Sequence, residues 1–220
     1  MQTAKHLMLG AAALALLAAC QPKDKAAPAA SAPASATQTS ASAAKPAAKS
    51  NVKSVDMRKE DIGGDFAMTD GDGKEFKLSN MKGKVVILSF GYTHCPDVCP
   101  TELLTQADTL KQLGDKAKDV KVVFASVDPE RDTPELVGKY VKQFNPDFIG
   151  LSVTEGQSLP VIKQQYRVVS AKINADKDPK NYLVDHTAGS YVIDKDGEVA
   201  FFEPYGSAPE NIAADIKTLL

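Results

Sequence analysis

The run Lys84-Val85-Val86-Ile87-Leu88-Ser89-Phe90 is followed by Gly91-Tyr92-Thr93-His94-Cys95-Pro96-Asp97-Val98-Cys99-Pro100, and then by Thr101-Glu102-Leu103-Leu104-Thr105-Gln106-Ala107. The first segment is short, apolar and rich in β-branched residues, so it reads as a buried strand. In the third, apolar residues begin to recur at helical spacing. A strand that feeds a helix through a cysteine pair places both sulfurs at the carboxyl edge of a sheet, beside a helix N-terminus. Open α/β folds keep their chemistry there.

Within a helical turn, residues four apart share a face, so the two thiols are near enough to form a disulfide or to grip one metal ion. Pro96 suits a first helical position, whereas Pro100 lacks an N–H and biases Cys99 away from helical torsions. The expected geometry is one short turn carrying both thiols, with the main helix restarting near Pro100. Backbone N–H groups at a helix start favour thiolate over thiol, lowering a pKa of about 8.5 in the free residue. Thiolate is both nucleophile and metal ligand. A structural disulfide is the plainer use of such a pair in an oxidising compartment.

The third cysteine stands apart. Lys5 and His6 precede an apolar run from Leu7 to Ala19, which ends Leu17-Ala18-Ala19-Cys20. That run is too short for a permanent membrane span, and small residues lead into the cysteine, so residues 1–19 read as a signal peptide. Leu-Ala-Ala-Cys resembles the lipobox of bacterial lipoproteins, which implies cleavage before Cys20 and lipid attachment to its sulfur. Cys95 and Cys99 are then a self-contained pair. Residues 20–54 are almost entirely Ala, Ser, Pro, Thr, Gln and Lys with no aromatic residue, and they read as a disordered tether spanning roughly 30 Å. Residues 55–220 suffice for one domain with a proper core. With 28 acidic and 26 basic residues the formal charge is −2, which gives no basic footprint for nucleic acid.

Along that domain, segments 65–69 and 74–78 flank Asp70-Gly71-Asp72-Gly73 and read as a hairpin. The turn lacks the later glutamate of a calcium-binding EF-hand loop. A helix is expected from the cysteine turn to about Lys118 and a second buried strand over 120–127. The charged segment from Asp128 to Glu135 is an ion-pair brace for the active edge or a solvated turn, the brace being preferred. Thr133 as N-cap and Pro134 at the first position start the next helix. A short strand over 148–153, a helix over 155–166, an exposed excursion over 174–181, a hairpin over 190–202 and a closing helix from Pro209 complete the order.

This order is that of the thioredoxin fold: an α/β domain with a central mixed sheet flanked by helices, extended here by the N-terminal hairpin. In that fold the segment before the terminal hairpin is a loop facing the cysteines, and here it contains His186. Two sulfurs and one ring nitrogen form a set soft enough for Cu(I) that also holds Cu(II). A structural zinc site would want a fourth ligand, and no obvious one is present. His94 is taken as secondary or incidental.

Three motifs in register, Tyr92 to Pro100, Val127 to Pro134, and Val184-Asp185-His186-Thr187, resemble the Sco (SenC) family of copper proteins. The resemblance implies copper held by Cys95, Cys99 and His186, with Asp128 and Asp185 as supporting residues nearby. It further implies help in assembling the copper site of cytochrome c oxidase, by copper delivery, thiol reduction or both. The expected partner is the copper-site subunit of a respiratory oxidase. A monomer is expected, lipid-anchored in a bacterial cell envelope with the domain in the periplasm. The alternative is a thiol-disulfide reductase in which Cys95 attacks, Cys99 resolves and His186 is dispensable, or protection from oxidants. Direct peroxide reduction is weaker, because Cys95 lacks the proline-threonine setting of peroxiredoxins.

Overall fold

The computed structural model describes residues 52–220. The expected leader, Cys20 and nearly all of the tether lie outside the described residues. In chain order the first strands are β1 (Val55–Asp56), β2 (Ala67–Asp70), β3 (Glu75–Lys77) and β4 (Val85–Gly91), followed by α1 (Val98–Leu113), β5 (Val120–Ser126), α2 (Pro134–Val141) and β6 (Ile149–Ser152). Then come α3 (Leu159–Gln165), β7 (Ser170–Ile173), β8 (Leu183–His186), β9 (Gly189–Ile193), β10 (Val199–Pro204) and α4 (Pro209–Lys217). No helix among the described residues is long and apolar enough to cross a membrane.

Eight strands form one mixed sheet in the order β1-β10-β9-β4-β5-β6-β2-β3, and β7 with β8 forms a separate two-stranded ribbon. β4, β5 and β6 are parallel, while β9 joins β4 antiparallel. All seven residues of β4 are buried, as a continuous apolar run in a doubly covered strand should be. Alternation along the strands sends successive side chains to opposite faces. Phe90 and Tyr191 turn to one face and meet the ring of Tyr166 at the end of α3, 5.6 and 5.5 Å between centroids. Ser190 turns to the other, where Gln106 of α1 donates to its hydroxyl at 2.9 Å.

The cysteine turn differs from expectation. α1 is continuous from Val98, so Cys99 and Pro100 lie inside it and only Cys95 precedes it. The physical reason is positional: the first N–H groups of a helix have no intrahelical acceptor, so Pro100 in the third position forfeits nothing. The helical ladder opens with Thr101 N donating to Asp97 O. At its other end α1 stops at Leu113 instead of about Lys118, because Gly114 takes φ 57° and a 3-10 turn over Gly114–Asp119 completes the connection. The helix expected over 155–166 is likewise shorter, starting at Leu159. The 174–181 excursion joins β7 to β8, and His186 ends a strand instead of sitting in an open loop.

A buried carboxylate sits away from the thiols. Glu203 of β10 pairs in register with Ser190, is buried and lies close to Asp215 and Ser207. Burial, then the neighbouring Asp215 charge, pushes its pKa up to about 7. The fold thus favours the neutral acid: this stabilisation is complete below the unfolded value of about 4.3 and is lost as pH rises to about 7. Glu102, raised to about 7 chiefly by burial, acts with the same sign. Glu203→Gln should therefore be more stable than the parent at pH 8, by on the order of 2 kcal/mol, and should show a shallower decline between pH 5 and 7. Urea denaturation at stepped pH checks this, and an unchanged slope would refute it.

Candidate metal centre

Tyr92 and the cysteine turn leave the carboxyl end of β4, and Asp132 fixes their path. This buried carboxylate accepts from Thr93 N at 2.9 Å, Thr93 Oγ1 at 2.6 Å and Ser126 Oγ at 2.7 Å. The Asp132 carbonyl accepts from Ser152 Oγ at 2.6 Å. Three adjacent strand ends are tied together by one residue. His94 turns toward this cluster, its Nδ1 3.1 Å from Thr93 Oγ1 and 3.6 Å from Asp132 Oδ1.

The turn brings Cys95 back under α1, so that Cys99 N donates to Cys95 Sγ at 3.4 Å. Cys95 is half-buried and Cys99 is buried. From β8, His186 reaches over both: its Nε2 lies 3.5 Å from Cys99 Sγ. The Cys95 and Cys99 sulfurs and a His186 ring nitrogen lie within 4.8 Å of one another, and no fourth His, Cys, Asp or Glu joins them among the described residues. His186 Nδ1 faces the Thr187 carbonyl at 2.9 Å. A carbonyl only accepts, so Nδ1 carries a proton, and Nε2 is the ring atom that faces the sulfurs. The Tyr92 ring meets His186 edge to face, 5.9 Å between centroids.

The two thiols are electrostatically unlike. The Cys99 thiol donating to Cys95, helped by the backbone N–H groups of Cys99 and Asp97, holds the Cys95 pKa down to about 5 against the opposing effect of burial. Cys99 moves the other way, because it donates to Cys95 and is itself buried. One proton is shared by the pair, and the half-buried sulfur of Cys95 carries the charge. In reduced, metal-free protein, Cys95 should therefore alkylate with a pH midpoint near 5. Iodoacetamide rates followed by peptide mass spectrometry test this; a midpoint near the free-thiol value of about 8.5 would contradict it.

A groove of about 340 Å³ opens onto the site, with Cys95, His186, Asp185, Val98, Ile173 and Leu183 among its lining residues. Asp185 stands exposed at its side. Asp128 is buried instead, accepting from Arg131 Nε at 2.6 Å and from the Tyr182 hydroxyl at 2.5 Å. It therefore acts at a remove from the sulfurs, and the charged segment is an ion-pair brace, not a solvated turn. Sequence reasoning missed Tyr92, Asp132 and Tyr182, whose polar or aromatic character has no periodic signature.

The profile of the SCO1/SenC family matches residues 55–220. The chain belongs to the SCO1/SenC family. Among Sco proteins, it is 36% identical over 156 residues to the SCO2-like protein of Rickettsia felis, covering 71% of this chain and 76% of that one. It is 35% identical over 159 residues to the human mitochondrial SCO1 homolog, covering 71% of this chain but 52% of the human protein. Of solved Sco structures, Bradyrhizobium japonicum ScoI with copper bound matches at TM-score 0.65 and 40% identity, covering 72% of this chain and 99% of that one. Yeast Sco1 with copper bound matches at TM-score 0.64 and 30% identity, covering 71% and 87%. The Sco fold is thioredoxin-like, as the order of elements suggests.

Proposed function

We propose that this protein is a copper carrier, holding the ion through Cys95, Cys99 and His186 and passing it to a copper site of a respiratory oxidase. The observation that carries the reading is the convergence of two sulfurs and one imidazole nitrogen within 4.8 Å. The donor set fits the ion. Cys95 is poised as thiolate, the bond from Nδ1 to the Thr187 carbonyl leaves Nε2 as the ring atom facing the sulfurs, and soft sulfur donors suit Cu(I) while the imidazole extends the set to Cu(II). Three donors leave a coordination position open for an incoming ligand. The copper-bound state of the Bradyrhizobium and yeast relatives supports the assignment.

Copper is cargo here, so it must leave as well as bind. A thiolate or imidazole of the recipient enters from the groove side, displaces His186 first and then takes the place of the cysteines in turn. The protein supplies three services: a charged sulfur at the groove, a buried sulfur beneath it, and an imidazole whose orientation the Thr187 carbonyl fixes. The oxidase copper-site subunit as recipient follows from family resemblance. The lipid on Cys20 rests on the lipobox-like Leu17-Ala18-Ala19-Cys20 and the tether on the composition of residues 20–54, and the periplasmic placement of a monomer is proposed with them. The experiment is transfer: full-length protein loaded with one Cu(I), mixed with the reduced, metal-free copper-site subunit. Copper remaining on the donor at equilibrium would refute delivery.

A second reading rests on the asymmetry of the thiols. A thiolate that lines the groove above a buried thiol suits disulfide exchange: Cys95 attacks a client disulfide and one client thiolate leaves. Cys99 then loses its proton, attacks Cys95 and releases the second client thiolate, so the client is reduced and this pair oxidised. Oxidation also destroys the copper ligands, coupling carrying capacity to redox state. Cys99→Ser should trap the mixed disulfide, and its failure to do so with a cysteine-paired client would count against this activity.

A further inference from the structure

The β7–β8 ribbon shares no ladder with the eight-stranded sheet, yet it delivers His186. Side chains must therefore hold it in register with the cysteines. Arg131, in the turn after β5, is the most connected of them, with only 12% of its side chain exposed. Its Nε donates to Asp128 Oδ2 at 2.6 Å, and its Nη1 donates to the Tyr182 carbonyl at 2.9 Å and the Lys180 carbonyl at 3.4 Å. Its guanidinium lies 3.6 Å from the centroid of the Tyr182 ring, and the Tyr182 hydroxyl donates to Asp128. Backbone, ring and hydroxyl of the residue that enters β8 are all gripped from the β5 side. Arg131 also lies 5.7 Å from the centroid of Tyr92, the ring against which His186 rests. A guanidinium suits this place because its planar fork bonds and stacks at once, which an ammonium does not.

We propose that Arg131 is a positioning residue for His186: it fastens the ribbon to the end of β5 and so keeps the imidazole within reach of both sulfurs. Arg131 itself touches neither sulfur nor ring nitrogen. Without it, the Tyr182 carbonyl loses its side-chain donor and the Tyr182 ring its guanidinium, while the ribbon keeps buried Val184 and Tyr182, the Lys163 Nζ–Ser170 Oγ hydrogen bond of 2.7 Å, the bond between Tyr92 and the Val184 backbone and the outer Lys172–Glu130 ion pair. Local opening of the ribbon leaves the main sheet untouched. The site then alternates between two donors and three.

The inference rests on the copper reading for its metal readout only. Three variants of the full chain serve: Arg131→Met, Arg131→Lys, and Arg131→Met with Asp128→Asn, the last removing the buried charge that the first leaves unpaired. In reduced, metal-free protein, amide exchange over residues 170–173 and 183–186 should quicken by about tenfold or more in Arg131→Met and in the double variant, while β4 and β5 amides hold their parental rates. Arg131→Lys should restore only part of the protection. With Cu(II) added, nitrogen coupling in the electron paramagnetic resonance spectrum should weaken and Cu(II) affinity should fall by about tenfold, with Cu(I) affinity less affected. Parental exchange in the ribbon, an equal rise in β4 and β5, or intact nitrogen coupling would each overturn the proposal. If the parent protein takes up no copper, the copper reading falls and amide exchange alone decides the role of Arg131.

Discussion

Cys99→Ser is expected to lower Cu(I) affinity by roughly a thousandfold, a loss of about 4 kcal/mol, because it removes a soft donor from a set of three and leaves no near substitute. His186→Ala should act differently. Both thiolates remain, so Cu(I) affinity should fall by only about tenfold, whereas Cu(II), which prefers imidazole to a bare pair of sulfurs, should be lost far more completely. The measurement is competition with a chromophoric Cu(I) chelator under reducing conditions, paired with titration of Cu(II) by absorbance. Retention by His186→Ala equal to the parent in both oxidation states would remove the imidazole from the site. The contrast between variants carries the information, since a general loss of folding would depress both alike.

Gly91→Ala should have the second largest effect. A Cβ built on Gly91 would sit 2.7 Å from Cys99 Sγ and equally close to the edge of the Phe124 ring. Its backbone is ordinary strand, so alanine meets no torsional obstacle and the damage is purely steric. Overpacking of this kind costs about 1–3 kcal/mol, which for a domain of this size lowers the melting temperature by roughly 3–10 °C. The chemistry should suffer too. Cys99 must swing aside, its hydrogen bond to Cys95 weakens, and the Cys95 alkylation midpoint climbs from about 5 toward that of a free thiol. A variant that melts and alkylates like the parent would mean that Cys99 and Phe124 have room to yield.

Much of this site was legible in the sequence because its parts obey local rules. The strand from Val85 is apolar but for Ser89, the proline-flanked cysteines follow it directly, and Thr133 with Pro134 marks the start of α2. The position of α1 was harder to read. Pro100 looks like a helix breaker until it is known to occupy the third helical position, where its missing N–H is not needed. β7 was missed because its residues face largely outward, so that no alternation of apolar and polar side chains betrays it. Asp132 and Arg131 belong to a visibly charged segment, but sequence alone does not say that one ends up tying three strand ends and the other stacked on a tyrosine fifty residues downstream. Those roles arise from tertiary pairing.

The ladder between β4 and β9 carries one more implication. Val86 pairs with Ile193 and Ser89 with Ser190, so the central strand, already beside β5, acquires its second neighbour only after about a hundred further residues have been added, a separation that makes such pairing slow to form. The thiols belong to the early half of the chain and their imidazole to the late half. A polypeptide synthesised from its N-terminus must therefore carry two naked sulfurs while the 87 residues that end at His186 are added, and whatever meets them in that interval, oxidant or stray ion, meets them before the fold can choose.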